Sequence, residues 1–126
     1  IDPAVIERHK DLKIVYTPLH GTGMMLIPQS LKLWGFENVH CVKEQMERSG
    51  DFPTVVSPNP ENGEALTLAL RDAKAIDADI VMASDPDAAW VWLARTIKAN
   101  GCLLMVTRRA CCSFTTSSPT VSKRVK

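Results

Sequence analysis

The chain has 126 residues, of which 45% are hydrophobic, and its net charge is +1. This supplies enough apolar material for the core of one ordinary domain. The sequence has no apolar run near the ~18 residues of a membrane span and no signal-peptide pattern, so a cytoplasmic protein without a membrane partner is expected. The 4 cysteines and 3 histidines lack the spacing of a zinc site or a disulfide framework.

Charge is distributed unevenly along the chain. All 14 acidic side chains lie in residues 1–88, whereas residues 89–126 hold 7 basic side chains and no acidic one. A segment of average composition and this length would contain several carboxylates. Two explanations stay open at this stage: a basic tail that binds nucleic acid or membranes, or a segment that was not selected together with the rest.

Short β-rich runs alternate with helical patterns in the first part of the chain. Strands are predicted over residues 13–16, 38–42 and 79–83, and a strong helix over residues 64–76. Residues 44–63 are polar and proline-rich, which indicates an extended loop. The alternation predicts an α/β fold.

A further helix is predicted between the first two strands, where apolar residues recur at helical spacing from Met24 to Trp34. Proline fits only in a first turn, so Pro28 places the expected start near Ile27. Gly35 stands where a C-cap is expected. The residues expected in the core are Ile14, Val15, Met24, Met25, Leu31, Trp34, Val39, Leu66, Leu70, Ile80 and Val81.

Two polar loops, residues 17–23 and 84–88, follow predicted strands. In α/β folds ligands bind beyond the carboxyl ends of the strands, so both loops are expected at that edge. Asp85 and Asp87 place two carboxylates close together in the second loop, and oxygen ligands of this kind suit Mg²⁺. A turn closed by an Asx cap is the alternative interpretation of the same residues.

Three motifs occur in order: TPLHGTG at residues 17–23, FPTVVSPNPE at 52–61 and ADIVMASDPDA at 78–88. Together they resemble the second domain of the phosphoglucomutase/phosphomannomutase family of phosphohexomutases, over residues 1–88. The resemblance implies a three-layer α/β/α domain with a mixed sheet, in a four-domain enzyme. It also implies an activity: a phosphoserine exchanges a phosphoryl group with the substrate and moves phosphate between C6 and C1 of glucose or mannose phosphates.

The resemblance further implies a metal loop in which three aspartates hold Mg²⁺ and an arginine follows. Asp85 and Asp87 match the first two metal-binding aspartates. Ala89 and Trp90 occupy the positions of the third aspartate and the arginine, and neither side chain can perform those roles. The metal loop of this chain is therefore expected to be damaged.

His20 and Gly21 match a family loop at the edge of the substrate cleft, and they are the expected substrate-binding residues. Loop geometry is the alternative explanation for both. The expected partners are a hexose phosphate and the other domains of the same mutase, with no nucleic acid. A non-catalytic module that binds sugar phosphate or metal is the alternative function, and the isolated chain is expected to be inactive.

The resemblance ends at Ala88. Codons compatible with residues 112–126, read one base out of frame, permit an amphipathic helix with a charged end. The same shift applied from Ala89 restores acidic residues to the tail. Residues 89–126 are therefore interpreted as an aberrant, out-of-frame tail attached to a domain core of residues 1–88, which weakens the nucleic-acid explanation. The runs 90–93 and 102–106 are candidate strands, but the tail is expected to lend the sheet one strand at most, from Trp90 to Ala94, and the following hairpin is expected to be missing or badly formed.

Overall fold

The computed structural model describes residues 3–89, 91–97 and 102–108 of the chain, and the side chains of residues 3–89 and 91–94. The strands are β1 (Ile14–Thr17), β2 (Val39–Cys41), β3 (Ile80–Ser84), β4 (Val91–Ile97) and β5 (Cys102–Arg108). The helices are α1 (Pro3–Arg8), α2 (Gly23–Leu33) and α3 (Thr67–Ile76), with a short 3₁₀ turn at Lys43–Gln45. The predicted α/β class is confirmed.

The five strands form one mixed sheet in the order β2-β1-β3-β4-β5. β1 runs parallel to both β2 and β3, whereas β4 is antiparallel to β3 and to β5. Parallel pairing sends the carboxyl ends of β1, β2 and β3 to the same edge of the sheet. Because β1 and β3 are neighbours, the loops that follow them leave that edge side by side.

Helices cover β1 on both faces. Ala69 and Ala73 of α3 pack in one cluster with Val15 and Val81, which point to one side of the sheet. Successive strand residues alternate between faces, so Tyr16 points to the other side, where it lies against the start of α2. All four residues of β1 are consequently buried, as expected for a parallel strand between two helical layers.

Helix α2 begins at Gly23, so the expected start near Ile27 is wrong. Pro28 lies inside the helix, where it removes the hydrogen bond that would normally go to the carbonyl of Met24. The preceding loop explains the early start, because the Thr22 N–H is already held by a hydrogen bond of 2.8 Å to the Pro86 carbonyl. Contacts outside the helix therefore override the preference of proline for the first turn.

The predicted glycine at the end of α2 is confirmed. Gly35 has a φ of 102°, a left-handed conformation that costs glycine little. Its N–H donates to the Lys32 carbonyl, and the N–H of Phe36 donates to the carbonyl of Leu31. These two bonds form a Schellman motif, which satisfies the last carbonyl groups of the helix.

Most of the predicted core is confirmed, with two errors on α2. Ile14, Val15, Leu31, Leu66 and Val81 are buried, and Met24, Val39, Leu70 and Ile80 are half-buried. Trp34 and Met25 are 50% and 54% exposed, so the expectation that they lie in the core is wrong. Trp34 is the C-cap residue, where the chain leaves the helix. Met25 lies on a different side of α2 from the buried Leu31.

The boundaries of the other elements differ from expectation at two places. Helix α3 begins three residues later than predicted, after a series of turns over residues 61–66. The expectation that the tail lends one strand at most is wrong, because β5 pairs with β4 from Val91↔Arg108 to Ile97↔Cys102. Alternating bulky residues have high β propensity whatever their origin. Within the described residues no helix is long and apolar enough to cross a membrane.

Candidate functional site

The loop after β1 and the loop after β3 are in direct contact. A Cβ added to Gly21 would lie 2.4 Å from the Cα of Pro86, so only glycine permits this approach. The Thr22 N–H and hydroxyl both donate to the Pro86 carbonyl, at 2.8 and 3.1 Å. The expected meeting of the two polar loops at the carboxyl edge of the sheet is confirmed.

A cleft of about 650 Å³ opens beside the aspartate-containing loop. Its lining residues are Pro58, Asn59, Glu61, Asp85, Pro86, Asp87 and Trp92. The proline-rich loop thus forms one wall and the aspartate loop the other. The sequence analysis assigned no site role to Asn59 or Glu61. Both belong to the second of the three motifs, and this membership was the signal that could have identified them as site residues.

The aspartate loop is a turn whose side chains border the cleft. The Ala88 N–H donates to the Asp85 carbonyl at 3.0 Å, and the Ala89 N–H donates to the Asp87 carboxylate at 3.1 Å. The second bond is the Asx cap foreseen as the alternative to metal binding. Because that cap engages one carboxylate oxygen, both interpretations can hold for the same residue.

The donor set for a metal ion is incomplete. Among the residues whose side chains are described, no group of three His, Cys, Asp or Glu residues is placed to hold a metal ion. Asp85 and Asp87 form a pair, and Ala89 contributes no side-chain oxygen. Mg²⁺ often binds through one or two carboxylates together with waters and substrate phosphates. The two aspartates therefore fit a weakly held cation rather than the three-aspartate site that the resemblance implies.

His20 is buried in the protein interior. It is 4% exposed and adopts a left-handed conformation with a φ of 64°. Its Nδ1 lies 2.8 Å from the Glu47 carbonyl oxygen, and its Nε2 lies 2.8 Å from the Thr54 hydroxyl. Both ring nitrogens are thus engaged by protein atoms, and direct contact of His20 or Gly21 with substrate stays a prediction.

A polar network continues from His20 through the exposed Thr54 to the buried Gln45 and Thr17 at the end of β1. The Thr54 hydroxyl accepts from the side-chain Nε2 of Gln45 at 3.1 Å. The side-chain Oε1 of Gln45 accepts from the Thr17 hydroxyl at 2.6 Å, and the Thr17 hydroxyl in turn accepts from the Leu19 N–H at 3.1 Å. Gln45 is fully buried, and such groups require partners of this kind. The network joins the loop after β1 to the proline-rich loop.

A tyrosine and a serine support the base of the two loops. The hydroxyl groups of Tyr16 and Ser84 lie 2.9 Å apart in the interior. Burial raises the pKa of Tyr16 to about 12, although the Ser84 hydrogen bond opposes this shift and Cys41 adds slightly to it. A Cβ on Gly23 would lie 2.5 Å from the tyrosine oxygen. The first residue of α2 therefore packs directly on this pair.

An open mixed sheet between helices, with an acidic turn at the carboxyl edge of its parallel strands, defines an α/β domain, and in open α/β sheets ligands bind at that edge. Residues 4–94 match the family described as phosphoglucomutase/phosphomannomutase, alpha/beta/alpha domain II. The chain therefore belongs to the phosphoglucomutase/phosphomannomutase family and carries its second domain. This confirms the resemblance drawn from the three sequence motifs.

Individual relatives agree with the family assignment. The chain is 48% identical over 77 residues to a phosphoglucomutase of Staphylococcus haemolyticus, covering 61% of this chain and 14% of the relative. It is 42% identical over 78 residues to a probable phosphomannomutase of Haemophilus influenzae, covering 62% and 16%. It is 42% identical over 92 residues to the human glucose 1,6-bisphosphate synthase, covering 72% and 15%. The chain thus spans only 14–16% of the length of these relatives.

The family match ends at residue 94. The division of the chain into a domain core of residues 1–88 and an out-of-frame tail of residues 89–126 stays a prediction. Most of that tail, including the whole of 109–126, lies outside the described residues.

Proposed function

We propose that this chain is the second domain of a phosphohexomutase. The parent enzyme moves phosphate between C6 and C1 of glucose or mannose phosphates, through a phosphoserine that another domain supplies. The observation that carries the proposal is the family match over residues 4–94, with Asp85 and Asp87 at the carboxyl end of β3 inside that match. The partners in this proposal are a hexose phosphate and the remaining domains of the same enzyme, in the cytoplasm.

Within the parent enzyme, Asp85 and Asp87 would hold Mg²⁺ at the cleft. A bound Mg²⁺ ion offsets negative charge on a phosphoryl group. The residues of this chain support the site by other means: the Asx cap orients the Asp87 carboxylate, and Asn59 and Glu61 place further polar groups on the opposite wall. With Ala89 and Trp90 in place of an aspartate and an arginine, the cation is held weakly and the isolated chain gives no turnover.

The test combines an activity assay with a cation titration of the 126-residue chain. Glucose 1-phosphate and mannose 1-phosphate should not be converted to their 6-phosphates. Calorimetry should show weak Mg²⁺ binding that both Asp85→Asn and Asp87→Asn abolish. Asp11→Asn is the matched control, because residue 11 precedes β1 and lies at the opposite edge of the sheet. Turnover by the isolated chain, or micromolar Mg²⁺ affinity that survives both substitutions, would contradict the proposal.

The alternative function is a non-catalytic module that binds sugar phosphate or metal. One observation favours it: the cleft of about 650 Å³ is present, although two of the four family positions in the metal loop hold Ala89 and Trp90. The two functions differ in what the chain does alone. Saturable shifts of the Asn59, Glu61 and Asp87 amide signals on addition of glucose 1-phosphate would favour the module. Unchanged signals would favour a domain that binds substrate only within the larger enzyme.

A further inference from the structure

The loop at residues 17–23 touches both walls of the cleft. Gly21 lies against Pro86 in the aspartate loop. The adjacent residue, His20, reaches in the other direction, to the Glu47 carbonyl and the Thr54 hydroxyl of the proline-rich loop. One short segment therefore connects the wall that carries Asp85 and Asp87 with the wall that carries Asn59 and Glu61.

We propose that His20 is a positioning residue: as the neutral Nδ1–H tautomer, its imidazole anchors the proline-rich wall of the cleft to the segment on which the aspartate loop rests. His20 acts in this way through Thr54 rather than by touching a ligand. The importance of this anchor for a mutase rests on the proposed function. The tautomer and the anchor themselves do not rest on the proposed function, because they concern contacts within this chain.

The tautomer follows from what each partner can donate or accept. The Glu47 carbonyl can only accept, so the proton must be on Nδ1. The Thr54 hydroxyl accepts from the Gln45 amide nitrogen, and its own hydrogen is then available for Nε2 of His20. This arrangement also leaves the side-chain Oε1 of Gln45 to accept from the Thr17 hydroxyl. If the side-chain amide of Gln45 were rotated, its Oε1 would face Thr54, and the Thr54 hydroxyl would donate to that oxygen. Nε2 of His20 would then have to donate to the Thr54 hydroxyl, so His20 would carry protons on both nitrogens.

Two hydrogen-bonded turns lie along the chain from Thr54 to the cleft, one around Thr54 and one around the cleft-lining Asn59. The Val55 N–H donates to the Phe52 carbonyl at 3.0 Å. Further along, the Asn59 side chain accepts from the Glu61 N–H at 2.9 Å, and its carbonyl accepts from the Asn62 N–H at 2.9 Å. The two turns, at residues 52–55 and 59–62, are separated by only three residues, so we expect loss of the Thr54 contact to change the positions of Asn59 and Glu61.

The experiment is nitrogen-15 NMR of the 126-residue chain, with no metal or sugar phosphate added. We expect the ring signals of His20 to show a protonated Nδ1 and an unprotonated Nε2 at neutral pH. Thr54→Val should disturb that pattern, move the amide signals of residues 59–62, and speed amide exchange in the proline-rich loop about tenfold while β1 and β3 stay protected. Thr54→Ser keeps the hydroxyl and should restore all three properties. Thr67→Val, an exposed threonine at the start of α3, is the control and should change none of them.

A folded wild-type chain in which His20 carries its proton on Nε2, or on both nitrogens, would overturn the proposal. So would Thr54→Val with unmoved signals at residues 59–62, or Thr54→Ser that fails to restore them. If Thr54→Val does not fold, the wild-type tautomer and the Thr54→Ser spectrum still decide. Neither the tautomer measurement nor the Thr54→Ser spectrum uses a ligand. A result that overturns the His20 anchor is therefore separate from a result that overturns the proposed mutase function.

Discussion

The two loops at the carboxyl edge of the sheet differ in how strongly packing restricts which residues they can contain. In the loop at residues 17–23 every residue except Thr22 is buried. In the aspartate loop at residues 85–89 every residue is exposed or half-exposed. Packing therefore dictates the first loop, whereas the second presents its side chains to the cleft.

This difference explains which substitutions each loop can accept. The turn at residues 85–89 is closed by the backbone N–H of Ala89 and the carboxylate of Asp87, so the side chain at position 89 is not needed for its shape. The third aspartate that the resemblance implies can be absent there without loss of the turn. At Gly21 a single methyl group would enter the space of the Pro86 backbone. Chemistry can be lost from the exposed loop while the domain still folds.

The strongest test of this comparison is Gly21→Ala. The new Cβ would lie 2.4 Å from the Pro86 Cα, and a backbone atom cannot easily move aside. We expect the free energy of unfolding to fall by about 3 kcal/mol, the upper range for overpacking. Urea unfolding followed by circular dichroism measures this.

Gly63→Ala is the matched control, because a Cβ added to Gly63 would meet nothing within 4 Å. In an exposed turn this change should be neutral or slightly stabilising, since alanine restricts the unfolded chain. Equal effects of the two substitutions would show that the contact between the loops is not a structural constraint, and the comparison would fail.

Tyr16 provides a pH-dependent test of the buried side. Its pKa is raised from 10.0 to about 12, first by burial, so the folded state holds the proton longer than the unfolded state does. The stabilisation is fully present below pH 10 and is lost as pH rises from 10 towards 12. We expect a loss of about 2 kcal/mol over that window.

The control for this titration is Tyr16→Phe, which should remove the tyrosine-linked loss. At neutral pH the variant should be less stable by about 1 kcal/mol, because the Ser84 hydroxyl loses its partner. The chain has 1 tyrosine, so the alkaline change in ultraviolet absorbance reports Tyr16 alone. An absorbance midpoint near pH 10 in the folded protein would show that the hydroxyl is accessible to solvent, contrary to its burial.

The elements of the fold were predictable where the signal is local. The ends of β1 and β3 were predicted to within one residue, because short β-rich runs bounded by turn residues are a strand signal within the local sequence. The start of α2 was not, since it depends on a hydrogen bond between Thr22 and Pro86, which are far apart in the chain. Trp34 was wrongly predicted to lie in the core, because helical periodicity does not show that the last residue of a helix is exposed to solvent.

The candidate site was predictable only in part, for the same reason. Asp85 and Asp87 could be found from their spacing and from the family motif. The opposite wall, with Asn59 and Glu61, comes near them only through the tertiary structure. The environment of His20 was also beyond sequence reasoning, because its partners Glu47 and Thr54 lie in a loop without regular structure.

Restoring the family residues tests the exposed loop. In the double variant Ala89→Asp with Trp90→Arg, a third carboxylate should join Asp85 and Asp87 without disturbing the turn, whose closing bond uses the backbone of residue 89. We expect Mg²⁺ affinity to rise on the order of tenfold, since affinity follows the number and charge of the oxygen ligands. Calorimetric titration measures this, and mutase turnover should still be absent. Ala88→Asp, one position away at a φ of 58°, is the control and should not tighten binding.

The smallest effect on stability is expected at Asp87, and it completes the comparison. Asp87→Asn keeps a side-chain oxygen for the Ala89 N–H, so the turn is retained and the free energy of unfolding should change by less than about 0.5 kcal/mol. Asp87→Ala removes that acceptor, but the residue is exposed and water can replace the bond. The loss should stay below about 1 kcal/mol. Both variants should abolish Mn²⁺ binding, measured by electron paramagnetic resonance with Mn²⁺ as a probe for the Mg²⁺ site. A loss of stability as large as that of Gly21→Ala would mean that the aspartate loop is also a packing element, and that its carboxylates serve the fold rather than the cleft.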